Sequence, residues 1–217
     1  MVRLASVLAV MGCLLLVESA GALAASGQTL DPSRPHGQTY GQWAAGWWSW
    51  VLSQPVTTTA EQYCAKGVQP SGVLFPAPVF GLDTATLSCT VPAGTALFSP
   101  AANTVYCAYS TDPPDQQTEE YIRAQVAHVR THAHDLLIEV DGRAQPLTYS
   151  ESPLFNVVLP ENNLFDLPAG FLVGPCADAG YYRMIPPQSV GEHTIHVHGA
   201  IDAFSVDVSY HLTVAPR

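Results

Sequence analysis

The 217-residue chain carries 18 Asp and Glu against 8 Lys and Arg, a formal net charge of −10, and its one lysine is Lys66. A chain this acidic has no electrostatic footprint for nucleic acid or for an anionic lipid surface. Beyond the N-terminal apolar run its length fits one domain with a substantial core, and no second apolar run is long enough to span a bilayer.

Residues 1–24 read as a signal peptide, with an early Arg3, a long apolar run, and small residues at Ala22 and Ala24 where a peptidase would cut. Residues 25–38 form a polar leader rich in turn formers, and 39–217 read as a single β-rich domain. The expected location is therefore secreted, periplasmic or in the cell envelope, with no integral membrane segment after cleavage. Cys13 leaves with the signal, and four cysteines remain: Cys64, Cys89, Cys107 and Cys176. An even count in an exported chain reads as two disulfides, for which three connectivities exist. Proximity and one long closure favour Cys64–Cys89 and Cys107–Cys176. A four-thiolate zinc site would want close pairs such as C-x2-C, and the chain has none.

The first element, "YGQWAAGWWSWVLSQ", places Tyr40, Trp43, Trp47, Trp50 and Val51 on one helical face, and Pro55 stops the pattern. Such a stripe predicts burial against a sheet. Trp48 falls off the stripe and is the candidate for an exposed ligand contact. From 72 to 109, short apolar segments broken by Pro and Gly predict strands, with "TVPAGTALF" read as two strands joined by a Pro-Ala-Gly turn. "DPPDQQTEEYIRAQVAHVRTHAHD" predicts a second helix capped by Asp112, with Ile122, Val126, Val129 and Ala133 as its buried stripe. "LLIEVDG", "SPLFNVVLP", "AGFLVGP" and "GYYRMIPP" predict further strands. In "FSVDVSYHLTV", Phe204, Val206, Val208, Tyr210, Leu212 and Val214 alternate with polar residues, the mark of a strand with one dry face. The sum is a mainly β chain, a β-sandwich or jelly-roll-like core with two helices packed on it.

The segments "YGQWAAGWWSW", "CTVPAGTALFSP" and "GYYRMIPPQSVGEHTIHVHG", followed by "FSVDVSYHLTV", resemble a family of exported bacterial proteins without an established activity. The resemblance extends over most of the chain beyond the signal. It implies export and a β-rich domain, and it carries over no catalytic residue.

The densest chemistry is "GEHTIHVHGA", three histidines within six residues. With Ile195 and Val197 facing the core, Thr194, His196 and His198 face outward and His193 inward. "GAIDA" is short enough to close an antiparallel hairpin, and pairing dry with dry allows only every second register. One such register sets Val197 opposite Val206, His198 by Ser205, His196 by Asp207, Thr194 by Ser209 and Glu192 by His211. The plain expectation is a solvated polar ladder, each pair contributing about 0.2–1 kcal/mol. The sharper one is a metal site in which His196, His198 and Asp207 offer two imidazoles and a carboxylate to Zn, Cu or Fe. In "HVRTHAHD", His128 and His132 stand one helical turn apart and could chelate a metal. The string lacks the Glu of H-E-x-x-H, and His132, His134 and Asp135 come near the helix end, where histidines are favoured by the C-terminal dipole.

Other chemistries find less support. The chain has no G-x-S-x-G elbow and no Gly-rich phosphate loop. Glu119 and Glu120 suit the first turns of a helix, Glu151, Glu161 and Asp166 fall near turns, and "LPENNLFD" reads as a plain turn before it reads as a calcium or ligand loop. The expected function is binding, with an extracellular glycan or a small ligand as partner. The alternative is a metal-dependent extracellular enzyme built on His196, His198 and Asp207 with Zn or Cu.

Overall fold

The computed structural model describes residues 33–76, 78 and 84–217. The expected signal peptide and most of the polar leader fall outside the described residues. Two five-stranded sheets pack face to face, with helices laid on them, so the chain is a mainly β sandwich. No helix among the described residues is long and apolar enough to cross a membrane.

The first helix, α1 (Tyr40–Leu52), begins at a capping box in which the Thr39 hydroxyl accepts from the Gln42 N–H and the Gln42 side chain accepts from the Thr39 N–H. A second helix, α2 (Ala60–Gly67), repeats the device with Thr59 and Gln62. The strands are β1 (Val73–Leu74), β2 (Thr84–Pro92), β3 (Ala96–Cys107), β4 (Ala133–Val140), β5 (Arg143–Ala144), β6 (Thr148–Glu151), β7 (Phe155–Val158), β8 (Leu172–Ile185), β9 (Gly191–Ile201) and β10 (Phe204–Ala215). One sheet runs β1-β3-β8-β6, with β7 also paired to β8; the other runs β2-β10-β9-β4-β5. The β1–β3 and β2–β10 pairs are parallel, so the sheets are mixed. The Pro-Ala-Gly turn does join two strands, but they do not pair: β2 belongs to one sheet and β3 to the other, and the turn is a corner between layers.

Side-chain alternation sends the two faces of the first sheet to different partners. From β3 and β8, Phe98, Tyr182, Met184 and Cys176 meet α1, whereas Leu97, Ala101 and Ile185 meet Val197, Val208, Tyr210 and Leu212 of the second sheet. The result is three layers: helix, sheet, sheet. All four tryptophans lie on α1, and nine of its thirteen residues are buried. That is far more than one stripe, and Trp48, expected off the buried face, is covered. A helix apolar on most sides must be covered on most sides. Gly41 lets it approach β6, because a Cβ there would collide with the Glu151 carbonyl.

The expected second helix is broken. Asp112 does not cap it; its carboxylate accepts from the Tyr109 N–H instead. After a 3-10 turn at Pro114–Gln117, α3 (Glu119–Val126) starts from Thr118, whose hydroxyl accepts from the Tyr121 N–H. A one-turn α4 (Val129–His132) follows, and Ala133 already opens β4. Ile122, Val126 and Val129 are buried as expected. "AGFLVGP" and "GYYRMIPP" are the two ends of one strand, β8.

Both disulfides have the favoured pairing, Cys64–Cys89 and Cys107–Cys176. The first staples α2 to β2, and the second ties partner residues of β3 and β8. By loop entropy the second, spanning 69 residues, should contribute more, roughly 4 kcal/mol against roughly 3.5. We therefore expect Cys107→Ala with Cys176→Ala to lower the urea midpoint further than Cys64→Ala with Cys89→Ala. Gly199 of β9 sits so close to β3 that an added Cβ would strike the Ala101 carbonyl. Gly199→Ala should cost about 1–3 kcal/mol in the same assay.

Candidate functional site

The β9–β10 hairpin forms as expected, but its register differs by two residues. Val197 faces Val208, His198 faces Asp207, His196 faces Ser209, Thr194 faces His211 and Glu192 faces Thr213. The turn falls on Asp202 and Ala203, one residue later than the expected register requires, and one residue at the turn moves every partner by two. Asp202 takes φ 53°, a left-handed conformation Asp tolerates, and its carboxylate accepts from His132 Nδ1 at 2.6 Å. A shift of two keeps dry facing dry, so the polar face survives it.

On that outer face His196 Nε2 lies 2.6 Å from Asp207 Oδ1, while its Nδ1 is 3.7 Å from Glu139 on β4. His198 Nδ1 stands 4.0 Å from the other Asp207 oxygen. The hairpin thus brings His196, His198 and Asp207 together, about one-third exposed or more. Among the described residues, no group of three or more His, Cys, Asp or Glu has the arrangement to hold a metal ion. His193 points inward, and its Nδ1 lies 2.7 Å from Asp141. The Asp141 partnership raises the His193 pKa and lowers that of Asp141. In the second cluster the His128 and His132 rings meet edge to face at 6.0 Å, and His134 lies 2.9 Å from its neighbour Asp135. These are acid–imidazole pairs on the outer face and at turns and strand ends. In "LPENNLFD", buried Asn163 closes a turn on itself. Its amide donates to the Pro160 and Leu167 carbonyls and accepts from the Phe165 and Leu167 N–H groups.

The cavity lies elsewhere. Among the described residues β1 pairs with β3 at Ala96 and Leu97 alone, and no further strand is paired to that side of β3 beyond them. There a bulge interrupts the pairing with β8 between Pro100 and Ala102. Pro100 lacks an N–H, which suits an edge strand at a bulge. Around this edge a cavity of about 170 Å³ opens between α1 and the inner face of β9 and β10. Trp47 and Trp48 form the helix side, Ser99 to Asn103 the β3 side, and Val197, Ile201, Val206 and Tyr210 the far wall. Phe204, 54% exposed, stands in its lining at the hairpin turn. Among the described residues no charged side chain lines it.

Behind two of these walls sits Asp178, fully buried in β8. Its carboxylate accepts from the Trp48 indole N–H at 2.7 Å, from the Tyr182 hydroxyl in a short hydrogen bond, and from the Asn103 amide at 3.5 Å. Its backbone is clamped by Ser152, which both donates to the Asp178 carbonyl and accepts from the Asp178 N–H. Burial pushes the carboxyl up to about 7, against the downward pull of Tyr182, Trp48 and Asn103. No charged partner appears among the groups acting on it, so the neutral form persists to a much higher pH than in an exposed aspartate. Trp48 is consequently not the exposed contact that its helical position predicts. It is 7% exposed, its N–H is held by Asp178, and it meets the cavity from within the core. The sequence patterns single out neither Asp178 nor Asn103, and they mark Trp47 only as part of the buried stripe. The available signal was the lone carboxylate in "CADAGYY", a charge set among small residues in a strand.

The Trp43 indole N–H donates to the Pro35 carbonyl and that of Trp48 to Asp178, but the Trp47 N–H is buried with no partner. An unpaired buried donor costs about 1–3 kcal/mol. No family model, characterised protein or solved structure gives a significant match to the chain.

Asp178 sets a pH dependence. Between pH about 4 and about 7 the unfolded chain has released this proton and the folded chain holds it. Its contribution to stability is therefore complete below pH about 4 and falls as pH rises through this window, by a total on the order of 4 kcal/mol. Urea unfolding of the native chain minus that of Asp178→Asn should show this slope between pH 4 and 7. A flat difference curve would contradict the assignment. In contrast, His196→Ala with His198→Ala should cost under about 1 kcal/mol, as partly exposed pairs do.

Proposed function

We propose that this is an exported binding protein whose cavity takes a small, mostly apolar molecule. Export is supported by the two disulfides, which suit an oxidising compartment, and by the sequence of residues 1–24. The observation that carries the binding reading is the cavity walled by Trp47, Trp48 and Tyr210 at the β3 edge. Apolar cavities of about 150 Å³ stay dry and hold benzene, so about 170 Å³ suits a single ring with one or two substituents. A bound sugar would bring many hydroxyls to walls made mainly of Pro, Ala, Val, Ile and aromatic side chains, and unpaired hydroxyls oppose burial. A small apolar ligand therefore fits better than a glycan.

Calorimetric titration with ethylbenzene tests the reading, with mono- and disaccharides and ZnCl2 as comparison arms. For so few ligand atoms a Kd on the order of 0.1–1 mM is expected. Val206→Phe, which puts bulk into the cavity from a half-buried position, should abolish binding while leaving the folded state intact. Saturable binding of a saccharide without ethylbenzene would replace the apolar ligand by a glycan. Tight one-to-one zinc binding lost in His196→Ala would favour the metal site.

A further inference from the structure

We infer that His128 and His132 form a two-imidazole chelate for a divalent transition-metal ion, Cu2+ above all, with its other coordination positions left to solvent. The inference is independent of the cavity and concerns a separate place on the molecule, α4, between α3 and β4. His128 has helical backbone angles at the start of α4, and the His132 N–H donates to the His128 carbonyl at 2.9 Å. One closed helical turn therefore separates the two residues and sets their side chains on one face. Both residues are exposed, and their ring centroids are 6.0 Å apart. Two imidazoles in neighbouring positions on one ion, with metal–nitrogen bonds of about 2.0 Å, have centroids about 5 Å apart. A small rotation of two exposed side chains closes that difference.

Hydrogen bonding decides which ring nitrogen is offered. His128 Nδ1 lies 3.1 Å from the Gln125 carbonyl, and His132 Nδ1 lies 2.6 Å from a carboxylate oxygen of Asp202. Those oxygens only accept, so each Nδ1 carries the proton and each neutral ring keeps its lone pair on Nε2. Neither Nε2 has a hydrogen-bond partner among the described residues. Metal-binding imidazoles are ordinarily held this way, with the outer N–H on a carbonyl or carboxylate. The other histidines lack the arrangement. His134 is engaged at both nitrogens, by Asp135 and the Asp202 carbonyl, and His193 at both, by Asp141 and Ser189. His196 stands between Asp207 and Glu139, which leaves His198 without a second free imidazole on its strand. Imidazole suits Cu, Zn and Ni, and among divalent ions Cu2+ binds such nitrogens most strongly. Asp202 is a positioning residue here: it orients His132 and touches no metal.

The test is titration of the native chain with CuCl2 alone, followed by calorimetry and by NMR of the histidine ring protons. One Cu2+ per chain is expected, and the paramagnetic ion should broaden the His128 and His132 ring signals before those of His196 and His198. His128→Asn and His132→Asn each leave one imidazole at an exposed position and should weaken Cu2+ binding about a hundredfold or abolish it. Asp202→Asn keeps both ligands but replaces the carboxylate behind His132, and should weaken binding about tenfold. His196→Ala should leave the affinity unchanged. Broadening that begins at His196 or His198, or an affinity that survives His128→Asn, overturns the inference. So does the absence of any saturable Cu2+ binding. The NMR readout is made on the native chain and holds even where a variant does not fold.

Discussion

The carboxyl of Asp178 is the joint on which the helix and the first sheet are assembled. It lies in the middle of β8, completely shielded from water, and gathers a donor from α1, one from its own strand and one from β3. Removing a carboxylate from water without a cation is costly, and the protein meets the cost by surrounding it with donors and by favouring its protonated form. An apolar residue of similar volume would pack there, but it would fix neither the rotation of the Trp48 indole nor the position of the Asn103 amide. Buried polar networks that are satisfied specify one arrangement among several that hydrophobic packing alone would allow.

That arrangement has a consequence at the sheet edge. Among the described residues β3 is covered by β1 over only two residues and then bulges at Pro100, so no neighbouring strand or regular pairing of theirs closes the space beside it. With α1 on one side and the inner face of β9 and β10 on the other, the space is a cavity walled by three separate elements. Gly199, pressed against the Ala101 carbonyl, sets how near β9 comes to that edge.

The histidines play a different part. Those of the hairpin and of the α4 end pair with carboxylates from neighbouring strands and turns: His196 with Asp207 and Glu139, His132 with Asp202, His193 with Asp141. His196 braces the solvent side of the second sheet, His132 holds the β9–β10 turn against the start of β4, and His193, on the inner side, ties the start of β9 to the turn after β4. Their density in the sequence arises because a strand with one dry face has every second position free for polar residues, and here many of those are His.

What the sequence determined by itself is local and periodic. Alternation in 204–214 fixed which face of the last strand is dry, the Trp-rich segment announced a buried helix, and four cysteines at those spacings favoured the pairing found. Such features are legible because a helix or strand imposes its repeat on neighbours within a few residues, wherever the element is finally placed. Tertiary structure decided the rest. Whether β2 and β3 pair or turn a corner between layers, which of two equally dry registers the hairpin takes, and how many sides of α1 are covered all depend on chain segments distant in sequence. The candidate site belongs wholly to that second category: Trp48 meets Asp178 across 130 residues, and the cavity exists only where α1, a strand edge and a hairpin converge. Periodicity records the environment of each element separately, and a space between three of them leaves no periodic trace in any one.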